Sequence, residues 1–86
     1  MPDLQAYRVQ IDDIDTQFLT LLVQRMQVSS VIWTYKRANN LPLYQPDRRA
    51  EVLVDKKKKA IDLGLDPILI ETIWTAIHDA SLQMQK

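Results

Sequence analysis

Eighty-six residues, 47% of them hydrophobic and 26% charged, suit one small globular domain, with residues 1–86 read as a single unit. Eleven Lys and Arg balance eleven Asp and Glu, so no net field recruits nucleic acid or an anionic membrane surface. Without cysteine there is no disulfide framework or thiolate metal site, no apolar run approaches the roughly 20 residues of a membrane span, and Met-Pro-Asp is unlike a signal peptide, so a cytoplasmic location is expected.

The first predicted element is one long helix from Asp3 to about Ala38, with no Gly or Pro inside it. Asp3 suits an N-cap, and Pro2 outside the helix costs no intrahelical bond. Counting by heptads gives Leu4, Ile11, Phe18, Arg25 and Ile32, interleaved with Tyr7, Ile14, Leu21, Val28 and Tyr35. Every place in this seam is apolar or aromatic except Arg25. A guanidinium there needs an anionic partner or pays a desolvation penalty. At about 1.5 Å per residue the rod is roughly 50 Å long. The other half of the chain, in two shorter helices, cannot cover it, so the seam is expected to close on a second copy. Asp12, Asp13 and Asp15 fan around the rod as a solvated acidic face, not a converging metal site. Asn39 and Asn40, which tolerate left-handed geometry, end it.

Pro42 and Pro46 make LPLYQP a loop. Asp47 is expected to cap a second helix that runs to Leu63 and stops at Gly64, with Ala50, Val52, Leu53, Ala60 and Ile61 as its apolar contacts. Lys56 to Lys59 fan around that helix and read as a solvated face, not a nucleic-acid patch. Asp66 as N-cap and Pro67 at the first helical position start a third helix, whose Ile70, Ile73, Trp74, Ile77, Ala80, Ser81 and Met84 form a core-facing stripe. His78, the only histidine, lies off that stripe and is expected at the surface. The fold class is therefore all-α: three helices, the first long.

Arg8, Arg25 and Lys36 border the seam. Arg25 and Lys36 are about 16 Å apart along the axis and Arg8 about 25 Å from Arg25, so long side chains of the first two can reach one ligand, whereas Arg8 can join only from an antiparallel partner. Two readings of the set remain open: cations snorkelling at a seam edge, or an anion site.

Taken jointly, Arg8 followed by IDDID, Arg25, Lys36, LPLYQPDRRAEVL, the GLDP turn and IWTAIHDASLQMQ resemble the all-helical chorismate mutases of the AroQ class over nearly the whole chain. The resemblance implies an intertwined homodimer of three-helix chains that rearranges chorismate, a small dicarboxylate, to prephenate, with no cofactor and no metal. It implies that Arg25 and the partner's Arg8 hold the two carboxylates, that Lys36 touches the ether oxygen and a carboxylate, and that Gln85 lies across that oxygen. Arg48 and Ser81 match further substrate-contacting positions. A pericyclic rearrangement needs no nucleophile or base, and none of the implied contact groups titrates ordinarily between about pH 5 and 8, so a shallow pH profile is expected.

Two positions depart from that pattern. The usual acidic residue before the second-helix proline is Gln45, and the glutamate that follows the arginine and accepts the substrate's ring hydroxyl is Arg49. Either Arg49 adds charge to the site or it turns to solvent and Gln45 takes the hydroxyl. Isochorismate pyruvate lyase, a related activity on the same fold, lacks the same glutamate and is the alternative enzyme. A helical dimerisation or regulatory module with weakened catalysis is the alternative outside enzymes.

Overall fold

The computed structural model describes residues 3–85, so the helix-starting role assigned to Pro2 lies outside the described residues. Three helices follow in order: α1 (Leu4–Ala38), α2 (Pro46–Asp62) and α3 (Pro67–Gln83), with no strand among the described residues.

Local chemistry sets the ends. Asp3 accepts from the Ala6 backbone N–H at 2.9 Å, and Asp66 does the same for Ile68 at 2.9 Å with Pro67 in the first helical position. Asn40 takes φ 55° after α1 while Leu41 N–H returns to the Lys36 carbonyl at 2.8 Å, and Gly64 takes φ 78° after α2 while Leu65 N–H returns to Ala60 at 2.8 Å. Both are Schellman closures, in which a left-handed residue lets the chain satisfy the last open carbonyls.

The start of α2 differs from expectation. Asp47 is not its cap; the helix begins on Pro46, with Gln45 as an N-cap that makes no side-chain capping bond. Proline has no N–H to leave unpaired and its φ is already helical, so the first turn forms on it and Asp47 becomes a first-turn carboxylate facing the helix's positive end. The helix also ends one residue earlier, with Leu63 as C-cap.

Helices α2 and α3 form an antiparallel hairpin, laced by Lys57 to Glu71 at 3.3 Å near the turn and Arg49 to Asp79 at 2.7 Å near the open end. Helix α1 packs against α3 and not against α2. Part of the Lys56–Lys59 charge is met locally: Asp55 accepts both Lys59 at 3.1 Å and Lys56 at 3.2 Å, and these two ammonium groups hold its carboxyl below the usual carboxylate range.

Little apolar surface is covered. Trp33, Ala60 and Ile70 are the buried hydrophobic residues among those described. Ile73, Trp74 and Ile77 of the α3 stripe are half-buried, but Ala80 and Met84 lie open, as do Ala50 and Ile61 of α2. Along the seam Phe18 is 53% exposed and Leu21 63%. The chain measures 59 × 24 × 16 Å with a radius of gyration of 16.4 Å, against about 12 Å for a compact domain of this length. Geometry is the cause: 35 residues of α1 extend about 52 Å, and a hairpin of two 17-residue helices covers about half of that. Among the described residues no helix is long and apolar enough to cross a membrane.

Candidate active site

Where the second half of α1 meets the hairpin, the helices enclose an open cavity of about 420 Å³, a volume ordinary for a small-molecule site. Helix α1 contributes Arg25, Ser29, Ile32, Trp33 and Lys36, a spacing of four, three, one and three residues that keeps all five on one face. Leu43, Tyr44 and Gln45 come from the connector, Arg48, Arg49 and Val52 from α2, and His78, Ser81 and Leu82 from α3.

The cations divide into two kinds. Arg48 pairs with Glu51 one turn along its own helix, and Arg49 is held by Asp79 across the hairpin. Arg49 therefore does not swing out to solvent; it forms wall, with its charge partly met by α3. Arg25 and Lys36 have no carboxylate partner among the described residues. Lys36 is instead fixed by the Leu43 carbonyl at 3.3 Å and by the Trp33 ring, whose centroid lies 4.8 Å from Nζ. Arg25 is half-buried, yet it has no hydrogen bond from its side chain among the described residues. Two cations without a carboxylate partner on one cavity wall, with no acidic side chain lining it among the described residues, offer donors suited to an anion.

A polar chain runs beneath them. Trp33 Nε1–H donates to Ser81 Oγ at 3.3 Å, and Ser81 Oγ–H donates to Ser29 Oγ at 3.0 Å. An indole N–H is donor only, so the first of these directions is forced; with Ser81 donating to Ser29, the Ser29 hydroxyl is left to donate into the cavity. Ser81, expected beside a carboxylate, is buried with its hydrogen bonds committed, and it acts on the cavity through Ser29.

His78 is the main correction to the sequence reading. It is half-buried on the cavity wall rather than on the surface, three residues before Ser81 on the same face of α3. Burial lowers its pKa, with the Arg25 and Arg49 charges adding to the effect and Asp79 opposing it. Both effects favour the neutral ring.

Arg25, Lys36, Gln45, Arg48, Arg49 and Ser81 are thus brought together, while two expected members are not. Arg8 is exposed near the far end of α1, about 25 Å from Arg25 at the helical rise. Gln85 is buried beyond the end of α3, outside the cavity lining. Its carbonyl accepts from Arg37 at 2.6 Å, a cation from α1 closing the negative end of α3. Ser29, Trp33 and His78 were not singled out for the site from sequence. The signal available was helical spacing: Ser29 is four residues from both Arg25 and Trp33, and His78 three from Ser81.

A family model described as chorismate mutase type II matches residues 7–86. The chain belongs to the type II chorismate mutase family. It is 38% identical over 71 residues to a T-protein of Enterobacter agglomerans, covering 83% of this chain and 19% of that protein. It is 32% identical over 82 residues to the 4-amino-4-deoxychorismate mutase of Streptomyces pristinaespiralis, covering 95% of this chain and 64% of that one. A bifunctional chorismate mutase/prephenate dehydratase of Aquifex aeolicus is 30% identical over 89 residues, covering all of this chain and 25% of the relative. The chain therefore spans less than two thirds of each of these relatives. No solved structure matches it. The expected AroQ resemblance and all-helical architecture agree with these findings.

Proposed function

We propose that this chorismate mutase family member rearranges chorismate to prephenate as a homodimer in the cytoplasm. The observation that carries the reading is the pair of cations, Arg25 and Lys36, which among the described residues have no carboxylate partner and stand on the wall of a cavity that no acidic side chain lines.

The substrate is an allyl vinyl ether with two carboxylates. One carbon–oxygen bond breaks as one carbon–carbon bond forms, in a single cyclic movement of electrons that carries the side chain from oxygen to carbon, so no atom is gained or lost and no proton is transferred. What a protein can add is a compact substrate conformer and donors placed where the ether oxygen gains negative charge. The Arg25 guanidinium suits a carboxylate, and the Ser29 hydroxyl supplies a further donor. Lys36, held by Trp33 and Leu43, is already oriented, so little ordering is required when the substrate binds. Arg48 sits at the more open side of the cavity, where it can exchange Glu51 for substrate. Gln85 lies just past the end of α3, four residues after Ser81; in this reading its amide turns towards the ether oxygen opposite Lys36 when the substrate binds.

The open seam supports a second copy. A rod with Phe18 and Leu21 more than half exposed, in a chain whose radius of gyration exceeds that of a compact domain, leaves an apolar surface that association would bury. An antiparallel α1 from the partner covers it and delivers that chain's Arg8 to the second substrate carboxylate.

The test is incubation of the purified protein with chorismate, isochorismate and 4-amino-4-deoxychorismate in parallel. Prephenate from chorismate is the expected product. Salicylate and pyruvate from isochorismate, with chorismate untouched, would replace the mutase by the lyase. Inertness towards all three leaves the dimerisation module.

A further inference from the structure

The cavity has an abundance of donors and few acceptors. Arg25, Lys36, Arg48 and Arg49 can only donate, and Ser81 is committed to Trp33 and Ser29. Chorismate brings acceptors for those donors, but its ring hydroxyl is itself a donor and requires an acceptor in the wall. Arg49 cannot serve, being a cation fixed to Asp79 at 2.7 Å. Among the described residues, neither ring nitrogen of His78 has a hydrogen-bond partner, although the residue is half-buried and lines the cavity. A ring nitrogen without a proton is an acceptor.

Resting on the mutase reading, we propose that His78 is a specificity-determining residue whose neutral imidazole accepts the hydrogen bond of the substrate's ring hydroxyl. Its surroundings keep that lone pair available. Arg25 and Lys36 face the cavity from α1, Tyr44 from the connector, Arg48 and Arg49 from α2, and Asp79 adjoins it on α3. Burial together with the Arg25 and Arg49 charges disfavours the imidazolium, against the weaker pull of Asp79. Two other acceptors compete: the Tyr44 phenol oxygen, and Gln45, whose Nε2 is tied to the Pro42 carbonyl at 3.4 Å, leaving Oε1 free.

The experiment measures kcat/KM for chorismate and for an analogue lacking the ring hydroxyl, on wild type, His78→Leu, His78→Gln and Gln45→Leu. The quantity read is the ratio of the two values on each protein, which is independent of how much of a variant is folded. His78→Leu lowers the chorismate-to-analogue ratio about tenfold, mainly through KM, the loss of one hydrogen bond to a buried hydroxyl. His78→Gln, which keeps an acceptor, recovers most of it. In wild type the same ratio falls as pH drops below the ordinary imidazole value of about 6.5, because an imidazolium has no lone pair; both substrates are dianions, so the added charge cancels. In His78→Gln the ratio is flat with pH. A ratio unchanged in His78→Leu, or one that falls in Gln45→Leu instead, overturns the assignment and leaves the mutase reading standing. Wild type inert towards chorismate overturns both.

Discussion

Arg25 is where stability and activity should part company. It occupies the one polar place in an otherwise apolar and aromatic seam, is half-buried, and has no carboxylate within ion-pair distance among the described residues. Replacing it by methionine, of similar length and flexible enough to fill the same space, removes a partly desolvated charge and adds apolar contact. A half-buried unpaired polar group costs about 1 kcal/mol or more, and for a domain of this size about 1 kcal/mol corresponds to a rise of roughly 4–8 °C in Tm. The same change removes a charge-assisted bond to a substrate carboxylate, with a bidentate geometry that lysine cannot copy. We take its loss as about 3 kcal/mol of transition-state stabilisation, roughly a hundredfold in kcat/KM. The assays are a thermal melt by far-ultraviolet circular dichroism at fixed chain concentration, because association raises Tm by mass action, and the loss of chorismate absorbance. A variant that is less stable than wild type yet equally active would refute the reasoning, since Arg25 would then be a structural seam residue and the dianion site would lie elsewhere.

Other consequences concern the second copy and pH. Phe18→Glu together with Leu21→Glu puts two carboxylates into the exposed seam; analytical ultracentrifugation should find a single chain with reduced helicity and no mutase activity. Mixing Arg8→Ala with Arg25→Ala, each inactive alone, should restore about a quarter of wild-type activity after subunit exchange, because half of the dimers in a two-fold assembly then hold one intact site of two; no recovery counts against a shared site. The lowered pKa of His78 means that the unfolded chain takes up the proton first as pH falls. Stability attributable to it is therefore fully present above about pH 6.5 and declines as pH drops towards the folded-state value. Melts of His78→Leu should lose that part of the slope, whereas an unchanged profile would place the histidine in solvent. The shallow activity profile inferred from the sequence should accordingly acquire a dependence at its acid end.

Helix existence, caps and stops were readable because each is a local contest. Asp3 and Asp66 accept backbone N–H groups within three residues, and Asn40 and Gly64 relax left-handed turns that other residues resist. The start of α2 escaped because Asp47 and Pro46 both favour a helix start and only the backbone shows which prevails. Arg25 and Lys36 were visible as exceptions beside an apolar seam, and they do share a cavity wall. His78 was not: on its own helix it falls beside the apolar stripe, and whether that side meets water or α1 depends on how the hairpin is rotated about its axis. Neither the Arg49–Asp79 tie nor the Trp33–Ser81–Ser29 chain could be foreseen, since each joins residues 30 or more apart on different helices.

By itself the sequence determined a long uninterrupted rod with an apolar seam, two short helices joined by a glycine turn, and cations at helical spacings suited to a small dianion. These are consequences of periodicity and of preferences that act within a few residues. The packing of three helices decided which cations kept an ion-pair partner and which did not, turned one serine inward and another towards the cavity, and brought the single histidine to its wall. Those outcomes depend on angles between helices, and an angle between helices is set by side chains far apart in the chain meeting one another.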